Sequence, residues 1–189
     1  MKNISVIGLG SMGFGIAQSL IRSGYNVYGQ DKNTVQQKKL IEEGGLDAEI
    51  PFGDLDAVII VVLNEAQTRD IIFGEEGIAG KLKKQTLVIV CTTVSPNFAK
   101  EMATACENKE LLYLDAPISG GSIKSSQGKL SYMVSGSKKA LIAAKPILDS
   151  TSETVFEFGE VIGSGSAMKA VNQMLAGVHI AAMAEAITF

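Results

Sequence analysis

Apolar and polar positions follow two patterns along this 189-residue chain. Short runs rich in Val, Ile and Leu predict strands, and longer segments with apolar residues three and four apart predict helices. The predicted strands cover 4–7, 26–30, 57–63, 87–91, 111–116, 130–135 and 154–158, with a weaker one near 47–50. The predicted helices cover 12–23, 34–43, 65–73, 96–107, 138–148 and about 166–189, and 117–128 is predicted as a loop. This alternation predicts an α/β fold with a doubly wound, mostly parallel sheet.

Composition narrows the classes of function. The chain is 46% hydrophobic and 20% charged with a net charge of −3, which is typical of a globular domain. Its 17 basic residues are scattered and outnumbered by 20 acidic ones, so we expect no nucleic-acid partner. The longest apolar run, 57–63, is far shorter than the roughly 20 residues of a membrane span, and the first residues do not resemble a signal peptide. We therefore expect a cytoplasmic protein without a membrane partner.

Few residues of this chain suit metal binding or histidine chemistry. Cys91 and Cys106 have no nearby cysteine or histidine in the sequence, and His179 is the single histidine. A zinc site and a disulfide framework are therefore not expected. Catalysis by a cluster of histidines is excluded.

The segment Gly8-Leu9-Gly10-Ser11-Met12-Gly13 follows the first predicted strand and opens the first predicted helix. It fits the pattern G-x-G-x-x-G, in which the first glycine permits a tight turn and the second lets a pyrophosphate approach the backbone. The third glycine lets the helix pack closely against the strand, and free N–H groups at the helix start attract the anion. The sequence therefore predicts a Rossmann-type site for a dinucleotide.

Asp31 ends the second predicted strand, about twenty residues after the glycines. A carboxylate at this position accepts hydrogen bonds from a ribose hydroxyl and repels a 2′-phosphate, which favours NAD over NADP. Lys32 is adjacent, so NADP stays the alternative, as does a plain turn role for Asp31.

Three later segments contain residues that suit substrate binding, proton transfer or cofactor binding. Ser119-Gly120-Gly121 follows a predicted strand and offers a hydroxyl and backbone N–H groups to a carboxylate, or is a flexible turn. Lys169 and Asn172 share one face of the last predicted helix. If that face is buried, desolvation lowers the pKa of Lys169 and the side chain exchanges protons near neutral pH. If that face is in water, Lys169 is an ordinary surface lysine. Thr93 follows the central strand and either contacts a cofactor or caps the next helix.

Taken together, these motifs resemble the 3-hydroxyisobutyrate dehydrogenase family of β-hydroxyacid dehydrogenases, and within it the L-threonate dehydrogenase branch. The resemblance covers the whole chain and rests on four motifs in order, which are 8–13, 92–96, 115–121 and 163–172, with further support for the branch from 28–31, 62–67 and 177–182.

The resemblance implies that Lys169 is the catalytic lysine and that Asn172 orients the lysine or the substrate. It also implies that Ser119, Gly120 and Gly121 hold the substrate. Thr93, Met12, Leu63 and Asn64 would contact NAD, although many relatives have proline where this chain has Asn64.

The same resemblance implies an all-helical second domain and a homo-oligomer, and nothing in this chain matches that domain. We expect residues 1–162 to form the dinucleotide-binding domain and 163–189 to begin an interdomain helix. The expected activity is NAD-dependent oxidation of a small hydroxy acid such as L-threonate. The alternatives are an NADP-linked reductase of semialdehydes such as tartronate semialdehyde, and an NAD-binding module without turnover.

Overall fold

The computed structural model describes residues 2–47 and 49–189, in which helices cover both faces of a twisted sheet. The strands are Asn3–Ile7 (β1), Asn26–Gln30 (β2), Ala57–Ile60 (β3), Leu87–Val90 (β4), Leu112–Asp115 (β5), Ile118–Ser119 (β6), Leu130–Gly136 (β7) and Ser152–Glu157 (β8). The helices are Gly13–Arg22 (α1), Thr34–Glu42 (α2), Glu65–Phe73 (α3), Pro96–Glu107 (α4), Gly121–Ser126 (α5), Lys138–Thr151 (α6) and Ser164–Thr188 (α7), with a short 3-10 turn at Phe52–Asp54.

The strand order β2-β1-β3-β4-β5-β7-β6 confirms the doubly wound, mostly parallel sheet. The first five strands pair in parallel, β7 runs antiparallel to both β5 and β6, and β8 pairs in parallel with β7. From β1 the chain passes first to β2 on one side and then to β3 on the other. Ligands of open α/β sheets bind where the order reverses in this way, outside the carboxyl ends of the strands.

The sheet separates two hydrophobic cores. Because side chains alternate along a strand, Ile59 faces the core under α1 and α6, whereas Val58 and Ile60 face the core under α3 and α4. Strands β3 and β4 are buried at every position, which explains their uninterrupted apolar sequence. The two layers of helices fix the sheet and hence the loops at its carboxyl edge.

Two local predictions differ from the structure. The segment 117–128, predicted as a loop, contains β6 and the short helix α5. Its regular structure depends on tertiary contact, because Ser125 is fully buried against α1 and its hydroxyl donates to the carbonyl of Met12 at 2.5 Å. The weak strand predicted near 47–50 is absent from the described residues 47, 49 and 50, and Ala48 lies outside the described residues.

Helix α7 is buried only near its start. Gly165, Ser166 and Lys169 are its buried residues, whereas most of the apolar side chains further along are exposed. By length and composition alone this helix could cross a membrane, since it has 25 residues and contains an 18-residue window with a mean hydropathy of 1.2. The same properties are found in helices that pack against other protein surfaces.

Candidate active site at the carboxyl edge of the sheet

Parallel pairing of the first five strands brings the loops that follow them to one edge of the sheet. Since each loop starts at the carboxyl end of its strand, residues far apart in sequence become neighbours in space. The predicted site residues on these loops, or in the elements that directly follow them, are Gly8, Gly10, Ser11, Met12, Gly13, Asp31, Leu63, Asn64, Thr93, Ser119, Gly120 and Gly121. The edge is therefore the candidate site.

The turn between β1 and α1 is compact because two of its positions have no room for a side chain. Gly8 has a φ of +94°, and a Cβ on it would lie 2.1 Å from the carbonyl oxygen of Val61. A Cβ on Gly13 would lie 1.8 Å from the carbonyl oxygen of Gly8. The turn thus brings the start of α1 against the ends of β1 and β3.

Gly10 differs from these two glycines, because a Cβ built on it meets no atom of the described residues within 4 Å. The open space belongs to a cleft of about 470 Å³ that Gly8, Gly10, Asp31 and Leu63 line together. Ser11 lines a second, adjoining groove, which Gly10 and Asp31 also line. Exposed backbone at Gly10, beside a helix start, is the arrangement that an approaching pyrophosphate requires.

Asp31 lies at the end of β2 with its carboxylate turned toward the glycine turn. Its Oδ2 accepts a hydrogen bond from the N–H of Leu9 at 2.6 Å, and its Oδ1 accepts one from the N–H of Asn33 at 2.7 Å. Each carboxylate oxygen can accept a further bond. The side chain is therefore fixed in the cleft and still able to accept a hydrogen bond from a ribose hydroxyl.

Leu63 and Asn64 follow β3 and have different surroundings. Leu63 is 86% exposed and lines the cleft, so its apolar side chain is available to a flat ring. Asn64 instead caps α3, because its Oδ1 accepts a hydrogen bond from the N–H of Gln67 at 2.9 Å. This helix cap explains the asparagine without any contact to a ligand.

Replacing Asn64 by alanine removes that cap, and we expect the free energy of unfolding to fall by about 1 kcal/mol. The Asn64→Gly variant is the matched control, since glycine at a helix N-cap lowers the free energy of unfolding by only about a few tenths of a kcal/mol. Urea unfolding measures both. Because the side chain oxygen is already engaged by the cap, NAD affinity should match that of the unmodified chain in both variants, and a loss of affinity in both would instead indicate a contact to the cofactor.

Thr93 is exposed in the loop between β4 and α4, next to a buried threonine that joins two strand ends. Thr92 Oγ1 accepts a hydrogen bond from the N–H of Val62 at 3.2 Å. Two residues after Thr93, the N–H of Ser95 donates to Glu65 Oε1 at 2.7 Å. These bonds hold the loop of Thr93 against the start of α3, and they were not predicted from the sequence because they join separate motifs.

Ser119, Gly120 and Gly121 form the passage from β6 into α5. Gly120 and Gly121 have φ angles of +135° and +78°, and a Cβ on Gly121 meets no atom within 4 Å. Ser119 pairs with Ser131 across β6 and β7 and stays partly exposed. Such a backbone leaves N–H groups open to a small anion at this position.

Lys169 is 5% exposed, and its ammonium forms no hydrogen bond or ion pair with residues 2–47 or 49–189. Burial lowers the pKa of Lys169 below its ordinary value, because desolvation disfavours the charged form. Asn172, one turn further along α7, is half-buried. Ala176 and Ile180 on the same face are exposed, so the burial of Lys169 comes from the elements packed against α7, which are β5, β7 and α4, and not from these helix neighbours.

The start of α7 is attached to the sheet by a carboxylate that the sequence analysis did not single out. Asp115, the last residue of β5, is fully buried and accepts hydrogen bonds from three groups. They are the N–H of Ser166 at 2.9 Å, the hydroxyl of Ser166 at 2.6 Å and the hydroxyl of Ser135 at 2.9 Å. Burial is the largest influence on the Asp115 carboxyl and raises its pKa, opposed by the bonds from Ser166.

The family model described as the NAD binding domain of 6-phosphogluconate dehydrogenase matches residues 3–159, which include the glycine turn and β1 to β8. The chain belongs to this family of NAD-binding domains. The predicted resemblance to the 3-hydroxyisobutyrate dehydrogenase family is also confirmed. A crystal structure of 3-hydroxyisobutyrate dehydrogenase from Salmonella typhimurium superposes with a TM-score of 0.93 at 40% identity, covering 98% of this chain and 66% of that one.

Two curated relatives are named L-threonate dehydrogenase. The protein from Pectobacterium atrosepticum is 45% identical over 188 residues, which are 97% of this chain and 62% of the relative. The protein from Haemophilus influenzae is 45% identical over 190 residues, which are 98% of this chain and 63% of the relative. The chain therefore spans less than two thirds of the length of these relatives.

Proposed function

We propose that this NAD-binding domain belongs to an oxidoreductase that oxidises a small hydroxy acid, L-threonate or a similar sugar acid, with Lys169 as acid–base. The observation that carries the proposal is the side chain of Lys169, which is 5% exposed, has no partner among the residues that the structure describes, and has a pKa lowered by burial. Structural lysines are exposed or paired, whereas a buried unpaired one suits proton transfer. The names of the relatives point to the same class of substrate.

The residues of the cleft suit a dinucleotide. Gly10 would receive the pyrophosphate, Asp31 would accept hydrogen bonds from a ribose hydroxyl, and Leu63 would cover an apolar ring. Met12 and Thr93, on the adjoining loops, would complete the contacts toward the nicotinamide end. NAD, when bound, supplies the acceptor for the hydride that leaves the carbinol carbon.

Each remaining residue has a defined part in this proposal. The N–H groups and hydroxyl of Ser119, Gly120 and Gly121 would hold the substrate carboxylate, so that the carbinol carbon is fixed in orientation. Lys169 Nζ, in its neutral form, would take the proton of the substrate hydroxyl, and Asn172 would orient the lysine or the substrate. In the reverse direction the ammonium would return that proton to the carbonyl oxygen.

We extend the proposal to the domain division and to the setting of the whole protein. Residues 1–162 would form the cofactor domain, and 163–189 would begin a helix leading to a second domain, with a cytoplasmic homo-oligomer as the complete enzyme. The apolar side chains exposed along α7 support a protein partner for this helix.

A panel of substrates tests the proposed reaction. NADH formation should be measured on the natural gene product with L-threonate, 3-hydroxyisobutyrate and other hydroxy acids, and NADPH oxidation with tartronate semialdehyde. Oxidation of L-threonate with NAD supports the proposal. Preferential use of NADPH and a semialdehyde supports the reductase, and cofactor binding with no turnover supports a binding module.

Asp31 should decide between the two cofactors. We expect NADH to bind more tightly than NADPH, because the Asp31 carboxylate repels a 2′-phosphate. In the Asp31→Ser variant this preference should shrink by about tenfold or more, equivalent to roughly 1.4 kcal/mol. Fluorescence titration with each reduced cofactor measures the ratio. Equal affinity of the unmodified chain for the two cofactors would contradict the assigned role.

A further inference from the structure

The most deeply buried carboxylate near the candidate site has no role in the reaction proposed above. Asp115 has 0% exposure and is not in an ion pair with any described residue. A buried charge is costly unless neighbouring dipoles compensate it. Here the compensation comes from two serines and from the start of α7, whose N–H groups and dipole favour a negative charge.

These hydrogen bonds join three separate elements at one point. Asp115 ends β5, Ser135 lies in β7 and Ser166 lies in the first turn of α7. Ser135 Oγ also accepts a hydrogen bond from the N–H of Gly165 at 3.2 Å, so two successive residues of α7 are bound to the cluster. The helix cannot rotate or lift at this end without breaking these bonds.

Close packing reinforces the same attachment. A Cβ on Gly165 would lie 2.3 Å from the carbonyl oxygen of Met133 and 3.1 Å from Asp115 Oδ2. The backbone of α7 therefore lies directly against β7 and the carboxylate. Since residues three apart share a helix face, Ser166 and Lys169 point to the same side, one turn apart.

We propose that Asp115 is a positioning residue that sets the placement of Lys169 relative to the Ser119–Gly121 backbone. Its side chain binds α7 one turn before Lys169, and its own backbone continues through three buried residues to Ser119. One carboxylate thus links the proton-transfer group to the carboxylate-binding backbone. This inference rests on the proposed function of those two sites.

The test uses Asp115→Asn, which keeps the size of the side chain but replaces one acceptor oxygen by a donor. Ser166→Ala removes a single bond to Asp115 and is the milder variant, in case Asp115→Asn does not fold. The matched control is Ser5→Ala, another buried serine, whose hydroxyl has no partner within the described part of the chain. Thermal unfolding reports stability for all three.

The first readout is the titration of Lys169, followed by ¹³C NMR of reductively methylated protein, with the signal assigned by its loss in Lys169→Gln. If Asp115 positions the helix start, the pKa of Lys169 should rise toward its ordinary value in Asp115→Asn and Ser166→Ala, because the side chain gains water. It should stay unchanged in Ser5→Ala. A purely structural role would lower thermal stability while leaving the Lys169 titration unchanged.

The second readout is the activity of the natural gene product. In Asp115→Asn we expect kcat to fall by about 10²-fold while the KM for NAD stays within about twofold, since a misplaced proton-transfer group affects the chemical step. Ser166→Ala should show a smaller loss of the same kind. The positioning role is overturned if both variants leave the Lys169 titration and kcat unchanged.

The two readouts separate the two proposals. If the Lys169 titration responds to Asp115→Asn but no hydroxy acid is oxidised, the positioning role stands and the proposed reaction fails. If a hydroxy acid is oxidised through Lys169 and the Asp115 variants leave both readouts unchanged, the reaction stands and the positioning role fails.

Discussion

Replacing Lys169 by alanine should lower kcat for hydroxy-acid oxidation by about 10²- to 10⁴-fold, the usual contribution of a general acid–base. The affinity for NAD should be nearly unchanged, because Lys169 does not line the cofactor cleft. Steady-state kinetics and fluorescence titration on the natural gene product measure these two quantities. The matched control is Lys109→Ala, which removes an exposed lysine just before the amino end of β5, away from the carboxyl edge of the sheet.

The pH dependence of the rate follows from the lowered pKa of Lys169. Oxidation requires the neutral amine, so kcat should rise with pH through a pKa below the ordinary value of about 10.4. Lys169→Ala should lose this rise, whereas the Lys109→Ala control should keep it. A Lys169→Ala variant that turns over at the original rate, or one whose pH profile keeps the same rise, would contradict the proposed role.

The same pKa shift predicts how stability changes with pH. Between the lowered pKa of folded Lys169 and the ordinary value in the unfolded chain, the unfolded state binds more protons. The contribution of this group to the free energy of unfolding therefore rises as pH increases across that interval. Urea unfolding of the chain and of Lys169→Met at several pH values isolates it, and equal slopes in both proteins would contradict the shift.

The second large effect concerns Gly10, where a methyl group should weaken NAD binding without unfolding the chain. The added Cβ meets no atom within 4 Å in the part of the chain that the structure describes, so stability should change by less than about 1 kcal/mol. The methyl group would occupy the space that a pyrophosphate needs. At a cost of roughly 1–3 kcal/mol, the expected loss of affinity is about 5- to 150-fold.

Gly53→Ala is the control for Gly10→Ala, because a Cβ there also meets nothing within 4 Å and Gly53 does not line the cleft. It should leave both stability and NAD affinity unchanged. Thermal unfolding with and without NAD measures stability and binding in one experiment, since a bound ligand raises the unfolding temperature. Unchanged affinity in Gly10→Ala would place the pyrophosphate elsewhere.

The fold was predictable because its signals are local. Ala57 to Ile60 is apolar at every position, and glycines punctuate the passage from β1 to α1, so a short window of sequence identifies each element. Segment 117–128 lacks such a signal. The helix α5 within it is six residues long and depends on packing against α1, which no local pattern records.

The candidate site was predictable in part for the same reason. Glycines and Asp31 have fixed spacing within one β-α-β unit, which sequence reasoning detects. The attachment of α7 has no such local spacing, because Ser166 and Asp115 are 51 residues apart and meet only when β5 is in place. Lys169 was identified as a candidate, but the structure was required to show that its helix face is buried and not in water.

The most direct test of the central claim is an NMR titration of the chain with NAD and then with L-threonate. NAD should first shift the amide signals of Gly8 to Gly13, Asp31, Leu63 and Thr93. L-threonate added next should shift those of Ser119 to Gly121, Lys169 and Asn172. Two results would contradict the placement of both sites at this edge of the sheet. They are shifts confined to other parts of the surface, and an amide signal of Lys169 that stays unshifted when L-threonate is added.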